Sequence, residues 1–187
     1  MGHHTFDPSK AAKLEDPESR YRFISREELL WALNLTGNEN VADLGSGTGF
    51  YTDVVAPHAE HIYGIDIQEA MHDFYRDKGV PENVELLASG IEDLPFASDH
   101  LDDAVSTMTY HEFASKEALS ELARVLTPGG RLVIGDWSAN GTGEAGPPLE
   151  ERFSVSEAVS ALRAAGFDVE FQAERPETFL VVGVCSE

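Results

Sequence analysis

With 187 residues, 42% of them hydrophobic, and a single cysteine, Cys185, the chain is sized for one domain with a continuous core; it allows neither an internal disulfide nor a thiolate-bound zinc. No stretch approaches the roughly 18 successive apolar residues that cross a bilayer, and MGHHTFDPSK has no apolar centre of a signal peptide, so a cytoplasmic protein without membrane insertion is expected. The formal charge of −21 is spread along the chain, with Lys10, Lys13, Lys78 and Lys116 the only lysines; such a surface repels phosphate backbones, which excludes nucleic acid and leaves small molecules as partners.

In chain order, the first helix is expected at 26–35, opened by a capping box in which Ser25 and Glu28 satisfy each other's backbone amides. From about residue 39, short β-branched or apolar runs at 41–44, 61–67, 84–88, 103–108 and 131–137 alternate with helical patterns at 50–56, 69–79 and 116–126. That alternation is the pattern of a mostly parallel sheet covered on both faces. The helix at 116–126 meets Thr127-Pro128-Gly129-Gly130, where proline cannot continue it and glycine supplies a reversal. A second capping box, Ser154-x-x-Glu157, opens a helix at 155–165 that ends at Gly166. Strands at 167–172 and 178–185 flank Arg175-Pro176; so short a connection forces an antiparallel hairpin. The expected fold is a three-layer α/β sheet of about seven strands, mostly parallel, finished by that hairpin. Residues 1–38 are read as a helical cap segment on a ligand-binding domain spanning 39–187.

The most informative segment is Val41-Ala-Asp43-Leu-Gly45-Ser46-Gly47-Thr48-Gly49-Phe50. A buried strand runs into a glycine loop that opens a helix, which brings bare backbone amides to the positive end of a helix. A dinucleotide fingerprint would need its third glycine at position 50, where phenylalanine stands, and no P-loop motif occurs anywhere. Asp66, at the end of the next strand in Gly64-Ile65-Asp66, can accept both hydroxyls of a ribose, a role that a nicotinamide cofactor and S-adenosylmethionine both require.

With G-I-D-I as second motif, I-E-D-L-P-F after the third strand and L-A-R-V-L-T-P-G-G-R-L-V-I-G-D-W around the fifth, residues 39–185 resemble the class I S-adenosylmethionine-dependent methyltransferases, whose fold is Rossmann-like. The similarity is to the small type 11 enzymes akin to those of ubiquinone and menaquinone biosynthesis. The resemblance implies S-adenosylmethionine as cofactor and S-adenosylhomocysteine as product. It implies that the amides of Gly45, Ser46, Gly47, Thr48 and Gly49 meet the amino-acid portion, with Asp43 near its ammonium. Asp66 would hold the ribose, with Ile67 against the adenine and Thr107 beside the cofactor. Many relatives carry an Asp for the adenine amino group where this chain has Gly90. Ser89, Glu92 or a backbone carbonyl remain as replacements, and the Ile91 amide can serve a ring nitrogen.

Methyl transfer from a sulfonium is an in-line displacement, so alignment dominates, and a base is needed only when the nucleophile is still protonated. The ends of the fourth and fifth strands supply 107–112 and Asp136-Trp137 as the acceptor wall, with His111, Asp136 and Tyr110 the candidate catalytic set. Two roles fit His111: a base oriented by Glu112 or Asp136, or a residue that only caps the following loop. Arg152 either clamps an anionic acceptor or pairs with Glu150 or Glu151. Tyr21, Phe23 and Trp31 are aromatics of the cap, and His3 and His4 are read as solvated rather than as ligands, so no metal is expected. A monomer or homodimer fits equally. A cofactor-binding protein without catalysis and a nicotinamide-dependent oxidoreductase are the competing functions, the latter opposed by Phe50.

The dispersed negative charge is expected of a protein built for molar salt, where the Debye length falls to about 3 Å and self-repulsion is screened. The melting temperature should therefore rise steeply from dilute buffer to concentrated KCl. Equal melting temperatures in the two would contradict this reading of the charge.

Overall fold

A computed structural model describes residues 7–186. Seven strands form one sheet: β1 (Asn40–Leu44), β2 (His61–Asp66), β3 (Val84–Ala88), β4 (Leu101–Thr107), β5 (Leu126–Trp137), β6 (Phe167–Glu174) and β7 (Thr178–Cys185). Their order is β3-β2-β1-β4-β5-β7-β6. The first five run parallel, and β7 lies antiparallel to both β5 and β6. Because β1 has β2 on one side and β4 on the other, the chain reverses its direction of winding there, and a crevice opens beyond the carboxyl ends of the strands.

The helices are α1 (Pro17–Tyr21), α2 (Arg26–Leu33), α3 (Thr52–Val55), α4 (Glu69–Lys78), α5 (Tyr110–Phe113), α6 (Lys116–Val125) and α7 (Val155–Ala164). On one face Leu119 and Leu122 of α6 and Leu162 of α7 bury against Leu44, Ala104 and Ile134. On the other, Leu29 and Leu33 of α2 and Val55 of α3 bury against Val41, Val105 and Val133. Successive residues of each strand thus feed opposite faces, and both faces are apolar because both are covered. Among the described residues no helix is long and apolar enough to cross a membrane.

The amino-terminal segment is bound to the crevice by polar contacts. A 3-10 turn at Pro8–Glu15 ends on Glu15, whose carboxylate accepts Thr48 Oγ1 at 2.5 Å and pairs with Lys78 Nζ at 3.1 Å. Tyr51 Oη lies 3.0 Å from both the Arg20 and the Ile24 carbonyls, which fixes α1 and the residues after it over the loop that follows β1.

Several local expectations are corrected. Ser25 accepts the Glu28 amide at 3.1 Å, but Glu28 turns its carboxylate to Arg175 instead of closing the box, since a guanidinium gives it a charged partner that a backbone amide does not. At Ser154 no such competitor exists, and the box forms completely. Residues 127–130 fall inside β5, which begins at Leu126, as an insertion between the Leu101–Leu126 and Asp103–Arg131 pairs, with Gly129 in the left-handed region at φ +85. The helix expected at 50–56 contracts to the four residues of α3, followed by a 3-10 turn through Pro57.

Candidate active site

A cleft of about 570 Å³ sits at the carboxyl ends of β1, β2, β4 and β5. Its wall is built from the glycine loop, Asp66–Gln68, Ser89–Glu92, Thr107–Thr109, His111–Phe113, Trp137, residues 145–147 and parts of the amino-terminal segment, Arg20 and Phe23 among them.

The loop after β1 is pinned to β2 by its own backbone. The Gly45 and Ser46 amides donate to the Ile65 carbonyl at 2.8 and 2.9 Å, the Gly47 amide donates to Asp66 Oδ2 at 2.9 Å, and the Gly49 amide donates to the Ser46 carbonyl at 2.9 Å. Four of the five amides expected to meet a ligand, those of Gly45, Ser46, Gly47 and Gly49, thus hold the loop together, and the loop presents a bare floor. Gly47, at φ +53, has nothing within 4 Å of where a Cβ would stand, so a side chain there would project into open space in the cleft. Gly49 is not on the wall; a Cβ there would run into the Tyr75 ring, and packing is its requirement.

Asp43 stands behind this floor, 2% exposed, with Thr52 Oγ1 donating to Oδ2 at 2.6 Å and Oδ1 left without a partner. Burial pushes its pKa up to about 6 against the Thr52 hydrogen bond, with the negative charge of Asp66 adding to the rise. Ser46 Oγ is likewise buried without a partner, and the Thr48 hydroxyl is taken by Glu15.

Asp66 is half-buried at the tip of β2. Gly47 and Gln68 amides grip one oxygen each, at 2.9 and 2.8 Å, while burial raises its pKa against those bonds. Beside it Ile67 is 68% exposed on the wall, an apolar side chain with no covering from the protein. On the next loop Ser89 Oγ donates to the Gly90 and Asp93 carbonyls at 3.0 and 3.2 Å. A Cβ on Gly90 would stand 3.1 Å from Glu92 Oε2, so the Glu92 carboxylate reaches the space beside position 90 that a side chain there would enter. Ile91 and Glu92 both line the cleft.

At the opposite end, Asp136 is fully buried and accepts three times from one residue: the His111 amide at 2.7 Å and His111 Nδ1 at 3.0 Å to each oxygen. The carboxylate can only accept, so Nδ1 carries hydrogen and the other ring nitrogen, Nε2, is left for further chemistry, 3.9 Å from Glu112 Oε1. Burial lowers the imidazole pKa, but the Asp136 hydrogen bond and charge, with Glu112 and Glu151, outweigh it and hold the pKa above its ordinary value. Asp136 reaches the cleft only through His111. Tyr110 is corrected: α5 turns it inward, 1% exposed, onto Phe113, Phe153 and Phe179, and burial pushes its phenol up to about 12.

The acceptor end also carries Phe23, Met108, Phe113 and Trp137, with Thr109 and Glu112 beside them. Phe23 meets Trp137 edge-on at 4.7 Å between centroids, and Met108 holds a left-handed backbone at φ +61, an uncommon conformation for a side chain of its size. Arg152 pairs with neither Glu150 nor Glu151 and is turned away from the cleft. Its guanidinium, 5.5 Å from the Trp137 ring, is buried against Glu177 at 3.1 Å and donates to the Pro147 and Ala145 carbonyls. Glu177 also accepts the Thr142 hydroxyl and amide, and these bonds, the hydroxyl first, hold its carboxyl down at about 2. This buried pair shapes the loop at 138–151, which brings Ala145, Gly146 and Pro147 to the cleft. Trp31 lies away from it, 60% exposed and edge-on to Phe171 at 4.9 Å. Among the described residues no group of acidic, cysteine and histidine side chains is arranged to hold a metal; His3 and His4 lie outside those residues.

The signal for Arg20 and Lys13, which the sequence reading passed over, is the scarcity of cations: of 13 lysines and arginines, three in the first 20 residues, Lys10, Lys13 and Arg20, line the cleft.

Comparison with known proteins fits this arrangement. A methyltransferase domain profile matches residues 42–134. A SAM dependent methyltransferase from Aquifex aeolicus, solved by crystallography, superposes with a TM-score of 0.86 at 33% identity, covering 96% of this chain and 99% of that one. The biotin biosynthesis bifunctional protein BioHC of Cellvibrio japonicus is 38% identical over 93 residues, 49% of this chain and 18% of that protein. The ubiquinone/menaquinone biosynthesis C-methyltransferase UbiE of Ectopseudomonas mendocina is 36% identical over 110 residues, 54% of this chain and 43% of that protein. This chain spans less than half the length of these two curated relatives. It belongs to the S-adenosylmethionine-dependent methyltransferase family.

A folded-state pKa raised from 3.8 to about 6 means that the fold holds the Asp43 proton more tightly than the unfolded chain does; its contribution to stability is present below about pH 4 and is lost as pH rises through 6. Asp43→Asn should therefore raise the stability of the ligand-free protein at pH 7.5 by about 1–2 kcal/mol, with the gap closing toward pH 4. Thermal denaturation at the two pH values reads this. A variant that melts below wild type at pH 7.5 would contradict it.

Proposed function

We propose that the chain transfers a methyl group from S-adenosylmethionine to a small, largely apolar acceptor whose attacking atom is still protonated at neutral pH. The observation that carries the acceptor assignment is the His111–Asp136 pair on a cleft wall that also bears Phe23, Met108, Phe113 and Trp137. When bound, the cofactor supplies a methyl group made electrophilic by its sulfonium.

The residues present fit that cofactor. Asp66, its oxygens already oriented by the Gly47 and Gln68 amides, keeps lone pairs for two ribose hydroxyls. Ile67 and Ile91 offer apolar surface for a purine, and Glu92, whose carboxylate reaches the space beside position 90, accepts the adenine amino group in place of the missing Asp. Ser46, Gly47, Thr48 and Thr107 form the floor on which the amino-acid end rests. Residues 8–38 act as a cap, hooked to the loop by Glu15 and carrying Arg20 and Phe23 into the cleft.

At the acceptor end, Asp136 is a positioning residue: it fixes the imidazole ring and its tautomer, and its negative charge stabilises the imidazolium that forms as Nε2 takes the acceptor's proton. Phe23, Trp137 and Pro147 exclude water and favour a flat apolar molecule bearing a phenolic or enolic O–H or an acidic C–H.

The raised pKa sets the pH dependence. His111 must be neutral to act, so activity is expected to rise with pH through a value above 6.5. Asp136→Asn removes the largest cause of the elevation while burial and the Glu112 and Glu151 charges remain, so the His111 titration followed by NMR should move down from its wild-type value. With an acceptor found by screening phenols and enols for S-adenosylhomocysteine release, His111→Ala should lower kcat by about 10²- to 10⁴-fold while cofactor affinity stays nearly constant. Unchanged turnover would remove His111 from the mechanism.

A further inference from the structure

Resting on the acceptor reading and narrowing it, we propose that Met108 determines which acceptors fit. Its side chain sets the length of the acceptor end of the cleft and limits the acceptor to a single ring carrying the reactive O–H or C–H.

The first ground is a backbone that calls for another residue. Among the described residues, three that are not glycine have positive φ: Asn34 at +55, Asp99 at +54 and Met108 at +61. Asn34 is the C-cap of α2, and Asn and Asp are the types that tolerate the left-handed region best. Met108 has no short polar side chain, and the conformation is strained for it while glycine adopts it freely. Its neighbours enforce it. The Met108 amide donates to the Gly135 carbonyl at 2.7 Å, and Thr109 Oγ1 donates to the Thr107 and Gly45 carbonyls at 3.1 and 3.4 Å. Glycine would serve this turn better, so methionine acts here through its side chain.

The second ground is where that side chain lies. Met108 is half-buried, lines the cleft and packs against the apolar cluster that includes Ile24 of the cap and Val133 of β5. The cap cannot withdraw to make room. A Cβ on Gly135 would stand 2.3 Å from Ile24 Cδ1, so Ile24 fills the notch that glycine leaves in β5, and the Tyr51 hydroxyl donates to the Ile24 carbonyl at 3.0 Å.

The third ground is that the other apolar members of this wall are held in place. A Cβ on Gly146 would stand 2.4 Å from the Trp137 ring, the Arg152 guanidinium lies 5.5 Å from that ring, and Phe23 meets it edge-on. Phe113 is 6% exposed and packs edge-on against Tyr110 at 5.6 Å. Unbranched Met108 is the member whose volume decides what the end of the cleft bearing His111 admits. Glycine in its place would free the room of about four non-hydrogen atoms, as many carbons as separate a naphthol from a phenol.

The test is calorimetric binding of phenol and of 2-naphthol to the protein saturated with S-adenosylhomocysteine, for wild type, Met108→Gly and Met108→Ala. Wild type should prefer phenol, although 2-naphthol offers more apolar surface. In both variants the affinity for 2-naphthol relative to phenol should rise by roughly 10-fold or more. Met108→Gly should also melt above Met108→Ala, because both lose the side chain and only glycine relieves the backbone. A wild-type preference for 2-naphthol, an unchanged ratio in the variants, or a glycine variant melting below the alanine one overturns the proposal and leaves the acceptor reading standing. Wild type that binds S-adenosylhomocysteine but neither ring compound overturns the acceptor reading too, and failure to bind S-adenosylhomocysteine overturns the cofactor reading with both.

Discussion

The register between β1 and β2 is the constraint on which the rest of the site depends. Pairing Leu44 with Ile65 sets the loop after β1 so that two of its amides meet the Ile65 carbonyl and a third meets the Asp66 carboxylate. One set of bonds therefore fixes both the bare floor and the acid beside it. A slip of one residue would turn Asp66 to the other face of the sheet and leave three amides buried without partners. The glycines are required by this bolting as much as by any ligand: Gly45 sits tight under Thr109 and Gly49 under Tyr75.

Charge is the second theme. In a chain of net charge −21, the carboxylates at the site are each assigned a different condition by their surroundings. Asp43 is buried and short of partners, so its proton is held; Asp66 is gripped by amides; Asp136 is answered by His111; Glu177 is answered by Thr142 and Arg152 and kept ionised. The last pair carries no chemistry and yet decides the shape of the acceptor pocket, because the loop bearing Ala145–Pro147 hangs from it. Arg20 is the one cleft-facing cation whose buried nitrogen the described residues leave unanswered.

How much of this was legible follows from how local each determinant is. All seven strands were readable, β3 and β7 to the residue: β7 is an apolar run because it is buried on both faces, while β3, half-buried at the sheet edge, was marked by its short apolar run between turn residues. The glycine loop and Asp66 were readable because they are contiguous on successive strands. The capping box at Ser154 was legible and the one at Ser25 was not, since Arg175, far along the chain, competes for Glu28. The inward turn of Tyr110, the Arg152–Glu177 pair and the engagement of the loop amides all depend on partners distant in sequence, which periodicity does not reveal. His111 and Asp136 were picked individually; their bond, 25 residues apart in the chain, comes from the pairing of β4 with β5.

The central claim is that the floor at residues 45–49 and the carboxylate at 66 hold a sulfonium nucleoside. The direct measurement is a thermal-shift comparison of the folded protein with S-adenosylmethionine, with S-adenosylhomocysteine and with NAD. At 100 times the dissociation constant a specific ligand stabilises the fold by about 2.7 kcal/mol, enough to move the transition visibly. The account predicts a rise in melting temperature with the first two and none with NAD; stabilisation by NAD alone would contradict it.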